Sequence, residues 1–166
     1  MKNVRDSIWY DIVHTKYGEI YLSLYISRNR DIRKWFKITT ILCSATGIFG
    51  TVLSQKIPTI ISLTIIAIIQ CLTSVESFII HSETQIDEIG RLRVLYVEKL
   101  RQLEKIWFNL NAKRISEDNA IDEFFNLRAF TGEMEKLDDK LNIKQHKKLK
   151  DKAQADTSIY LETYYL

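Results

Sequence analysis

The chain has 166 residues, 24 Lys and Arg against 21 Asp and Glu, a net charge of +3 and 46% hydrophobic residues. That length suits one domain; five glycines and one proline exclude collagen-like, low-complexity and many-turned all-β folds, and two cysteines exclude a disulfide-rich scaffold or a four-cysteine zinc site. The small net charge gives no argument for nucleic acid, and no duplex DNA partner is expected.

Residues 1–34 form the first expected part, a cytoplasmic amphipathic helix. Ile8, Trp9, Ile12, Val13, Ile20, Tyr21, Leu24 and Tyr25 recur at three- and four-residue steps from residue 4 onward. Gly18 is a candidate break. The apolar face either packs on the C-terminal helices or lies on the inner leaflet of a membrane.

Residues 35–80 hold most of the strongly apolar side chains. Ile38 to Gln55 is a run of 18 residues without charge, and Ile57 to Val75 a second of 19, separated by Lys56. As helices these runs are about 27–29 Å long, close to the roughly 30 Å of bilayer hydrocarbon. The pattern predicts a transmembrane hairpin with spans at about 36–54 and 58–79. Pro58 suits the first turn of the second helix. A buried helical hairpin of a soluble protein is the competing reading. Arg28, Arg30, Arg33, Lys34 and Lys37 precede the first span, and Lys56 alone marks the tip. The positive-inside rule then places both termini in the cytoplasm, with Trp35 and Phe36 as interface anchors. Cys43 and Cys71 read as small apolar residues and not as a disulfide.

Residues 81–166 form a cytoplasmic helical region. Ile86, Ile89, Leu92, Tyr96, Leu100, Leu103, Trp107 and Leu110 mark a long amphipathic helix. It is expected to continue the second span or to join it by a bend near Gly90. Ser116 reads as an N-cap for a helix over 117–130, with Gly132 at its end and a short helix over 133–141. The basic run Lys144–Lys152 suits anionic lipid, a nucleotide ligand or a solvated tail. The Tyr-rich end, 159–166, is too apolar to hang free and is expected to dock on the cytoplasmic helices or the membrane surface. The fold class is therefore an all-α membrane protein.

No phosphate loop, metal-binding histidine pair or nucleophile elbow is present, so no enzyme, cofactor or metal site is expected. The informative polar residues lie in the second span. Gln70, Thr73 and Ser77 share one helix face, and Glu76 lies beside it near the cytoplasmic mouth. Such residues either glue helices together or line a wet path. One hairpin cannot enclose a conduit, but several copies can. A homo-oligomer, with a tetramer favoured, is expected to line a pore with this face, and Glu76 to bias it toward cations.

The basic-aromatic stretch Arg28–Phe36, the tight turn Gln55-Lys56-Ile57-Pro58 and the long helix over 83–110 together resemble the SLATT family of bacterial two-transmembrane effector domains. The likeness covers roughly residues 4–112 and rests on architecture and charge placement. It implies a pore-forming effector of anti-phage defence in the bacterial inner membrane. It also implies gating by a nucleotide or short oligonucleotide signal from a partner nucleotidyltransferase. Arg28, Arg30, Arg33, Arg91 and Arg93, nearest the membrane, are then the candidate phosphate ligands. The alternative is a membrane-anchored scaffold that recruits a partner through residues 114–166.

Overall fold

The computed structural model describes residues 4–53, Thr64, Ala67, Ile68, Gln70 and 82–165, with the backbone alone at 43–53 and Phe130. Its elements are all helices: α1 (Val4–Leu53), α2 (Glu83–Asn111), α3 (Glu117–Phe130), α4 (Gly132–Leu141) and α5 (Lys147–Tyr165). Thr64, Ala67, Ile68 and Gln70 are also helical. The chain divides into two compact units, residues 1–26 with 87–166, and residues 27–86.

In the first unit the periodic apolar residues meet as their spacing predicts. Ile8 and Ile12 of α1 pack with Leu100, Leu103, Ile106 and Leu110 of α2 and with Ala120, Phe124 and Leu127 of α3. Leu161 and Tyr165 of α5 close the cluster. The apolar end of the chain thus docks on the other helices through Leu161 and Tyr165, while Ile159 and Tyr164 stay exposed. As α1 advances, its partners on α2 run backward: Trp9 lies 5.2 Å from Trp107 between ring centroids, and the Glu19 carboxylate lies 2.8 Å from Arg93. The two helices are antiparallel.

Caps set the helix boundaries. Ser82 and Gln85 form a reciprocal box: the Gln85 amide donates to Ser82 Oγ at 3.2 Å, and the Ser82 amide donates to Gln85 Oε1 at 2.9 Å. So α2 starts at Glu83, after the non-helical Ser82; residues 71–81, through which the expected second span would join it, lie outside the described residues. Gly90 lies inside α2, not at a bend at its start. Ser116 caps α3 by accepting from the Asn119 amide at 3.2 Å, as its position predicts. Asn142 ends α4 in the left-handed region at φ 41°, a conformation asparagine tolerates better than most residues.

The helix expected over 4–34 has no boundary there and runs on to Leu53. Gly18 does not break it. A Cβ at Gly18 would lie 2.3 Å from Cε1 of Tyr96, so the residue is small because a tyrosine ring from α2 sits on the α1 backbone. Among the described residues, no helix is long and apolar enough to cross a membrane. The expected second span, 58–79, lies outside those residues except at four positions.

Gly18→Ala should lower the stability of the chain despite the better helix propensity of alanine, worth about 1 kcal/mol. Overpacking against a ring typically costs about 1–3 kcal/mol. In a Tyr96→Leu background the same change should become neutral or stabilising. Thermal unfolding of the four variants, followed by circular dichroism, measures the cycle.

Candidate functional site

The residues offered for a pore fall mostly outside the described structure. Gln70 is helical and exposed; Thr73, Glu76 and Ser77 are not among the described residues, nor are Cys71 and the side chain of Cys43. The arginines offered for phosphate divide between the units. In 27–86, Arg28 and Arg30 are exposed, and Arg33 pairs with Glu83 at 3.3 Å. In the other unit Arg91 is exposed. Arg93 is already committed: its Nε and Nη2 both reach Glu19 Oε1, at 2.9 and 2.8 Å. An arginine with two nitrogens on one oxygen of a buried carboxylate is poorly placed to bind phosphate, because releasing it leaves Glu19 with Lys16 alone.

Glu19 organises the polar interior of the first unit. It is 7% exposed and sits one turn beyond Thr15 on the buried stripe of α1. Lys16 donates to its second oxygen at 3.0 Å, so both oxygens face cations. Lys16 also stands 4.0 Å above the ring of Tyr160, a cation–π contact between α1 and α5. Tyr160 in turn donates to Glu104 Oε1 at 2.5 Å, and Tyr165 donates to the same oxygen at 2.8 Å. One chain of contacts thus ties α1, α2 and α5 together. Burial, followed by the hydrogen bond to Glu104, raises the pKa of both tyrosines well above 10.0. Around them Trp9 meets Tyr165 edge-on at 5.2 Å, and Phe108 stacks on Tyr165 at 5.6 Å.

Farther along, Tyr21 pins the loop that precedes α5. Its hydroxyl donates to the Lys144 carbonyl and accepts from the His146 amide, both at 3.0 Å. This loop carries part of the basic run 144–152, and residues 147–152 begin α5. The run is therefore structured and is not a loose tail. Beside the loop lies a cavity of about 370 Å³ whose lining includes Tyr17, Tyr21, Tyr96, Asp138 and Gln145. A wider groove of about 700 Å³ shares His14, Tyr17, Gln145 and Lys150 with it. Burial, then the neighbouring Asp139, raises the pKa of Asp138; burial, then Asp138 and Glu135, raises that of Tyr96. Sequence reading named none of these as a site. Their elements are far apart in the chain, and the signal that was present, a tyrosine at every fourth position of 17–25, reads equally as core.

Among the described residues, no group of His, Cys, Asp and Glu is arranged to hold a metal ion. No family model matches this chain, and neither does any curated protein or solved structure.

The raised tyrosine pKa values fix the sign of an alkaline effect. Folding favours the neutral hydroxyls, so their stabilisation is complete below pH 10 and is lost as pH rises beyond it. The double variant Tyr160→Phe, Tyr165→Phe should be less stable than the parent at pH 8, by about 1–3 kcal/mol. Its stability should fall less steeply between pH 10 and 12. Unfolding curves at pH 8, 10 and 12 provide the comparison.

Proposed function

We propose that this chain is an oligomeric pore-forming effector embedded in the bacterial inner membrane, with both termini in the cytoplasm. The observation that carries the reading is a set of large apolar side chains left open on residues 27–86. Trp35 is 69% exposed, Ile41 60% and Leu42 62%, with Ile38 and Ile68 also exposed. Trp35, Ile38 and Leu42 recur at three- and four-residue steps, and contiguous exposed apolar surface marks a partner or a lipid phase. Thr39 and Thr40 donate their hydroxyls back to the carbonyls of Trp35 and Phe36, at 2.9 and 3.0 Å. Their polar atoms are thus satisfied within the helix, as hydrocarbon surroundings demand.

The division of the chain supports the topology. The segment 27–86 leaves and re-enters the same compact unit, residues 1–26 with 87–166. A segment that starts and finishes on one side crosses a bilayer an even number of times. The two uncharged runs supply two crossings. Of the arginines proposed for a nucleotide or oligonucleotide signal, Arg28, Arg30 and Arg91 keep exposed side chains and are the better candidates. A role in anti-phage defence rests on the likeness to SLATT domains alone.

Exposed Phe125 of α3 and Ile159 and Tyr164 of α5 favour a second reading, a membrane-anchored scaffold whose 114–166 region recruits a partner. Membrane potential separates the two. On the pore reading, induced expression depolarises cells, and Gln70→Leu reduces the depolarisation at equal membrane abundance. On the scaffold reading, potential is unchanged by expression, and deletion of 159–166 removes the phenotype. A chain recovered from lysed cells in the aqueous fraction without detergent would exclude both.

A further inference from the structure

We infer that the cavity beside the α4–α5 loop is a binding site for a small organic cation, an alkylammonium or short diamine. It is a separate site from the arginines above and does not depend on the pore reading. The cavity, of about 370 Å³, has room for a ligand of several heavy atoms. Its walls include Tyr17, Tyr21 and Tyr96, and two carboxylates, Asp138 and Asp139, also line it. Aromatic faces attract a cation through the ring quadrupole, and a carboxylate adds the counter-charge. The one lysine in the lining, Lys150, donates to the amide oxygen of Gln145 at 2.8 Å, and no ion pair joins it to Asp138 or Asp139 among the described residues. The same unit shows this contact working internally, where Lys16 Nζ stands 4.0 Å over Tyr160 with Glu19 as its counter-charge.

Two features suit the site to binding as opposed to packing. Tyr21 is held at its hydroxyl by the loop backbone on both sides, so its ring is fixed before a ligand arrives. Asp138 lies beside Asp139 in surroundings that disfavour its charge, and a bound cation would relieve that cost. A phosphate meets the opposite situation, since both carboxylates repel it.

The test is isothermal titration of the full chain in a nonionic maltoside detergent, with tetramethylammonium and putrescine as probes and adenosine monophosphate as the anionic comparison. At least one cation should bind saturably, and the anion should not. Asp138→Asn and Tyr96→Leu should each weaken binding at least tenfold. Tyr96→Phe, which keeps the ring face, should stay within about threefold of the parent. Helical content and melting of each variant identify any that fails to fold; Asp138→Asn and Tyr96→Phe then still decide the matter. Absence of cation binding by the parent, unchanged affinity in Asp138→Asn, or preference for the monophosphate would each overturn the assignment.

Discussion

The antiparallel pairing of α1 with α2 is the constraint from which the rest of the first unit follows. Its apolar part, Ile8 and Ile12 against Leu100, Leu103 and Leu110, supplies burial. Its polar part supplies register. A buried carboxylate at Glu19 must find cations, and Arg93 and Lys16 take its two oxygens. Sliding α2 by one turn would remove Arg93 and leave Glu19 only Lys16, the partner from its own helix. A second lock of another kind lies one residue away: Tyr96 can sit only where Gly18 leaves the α1 backbone bare. Hydrophobic contact alone would tolerate neighbouring registers; these two contacts together do not.

Once that register is set, α5 has a prepared place. Glu104 on α2 stands where Tyr160 and Tyr165 can both donate to it, and Lys16 on α1 stands over Tyr160. The C-terminal helix therefore reads both partners at once. Most of its surface is polar, with Ala153 and Thr157 its buried residues. Its attachment combines the partly buried Leu161 and Tyr165 with directed hydrogen bonds and ring contacts. Such an element is the kind that detaches before the core unfolds, because few buried contacts oppose its release.

The helices were legible in the sequence because their signals are local. Ser116 with Glu117 and Asp118 announces the start of α3, and the three- and four-residue steps of Ile8 to Tyr25 announce the buried stripe of α1. Two local signals mislead. Gly18 reads as punctuation, since a glycine inside a helix costs propensity, but its reason lies 78 positions away in Tyr96. The Ser82–Gln85 box is hidden in the sequence because the apolar steps around it look continuous. The cavity was illegible for a deeper reason. Tyr17, Tyr96 and Asp138 belong to three helices, and no spacing along one chain encodes their meeting.

The arginines show why charge alone is a weak guide to a binding site. Five were drawn together by their nearness to the expected membrane face. The structure spends Arg93 on Glu19 and pairs Arg33 with Glu83. A charge near a membrane has three competing uses: orienting the chain, neutralising a buried partner and holding a ligand. The first two need no ligand, and the positive-inside bias alone accounts for basic residues ahead of a span. The cavity carries the reverse pattern. There, Asp138 and Asp139 share a wall with Tyr17, Tyr21 and Tyr96, and the one lysine of the lining, Lys150, donates to the neutral amide of Gln145 and not to a carboxylate. Two carboxylates beside aromatic side chains in a concave wall are a stronger sign of a ligand than charge on a helix flank, because the flank has its own uses without one.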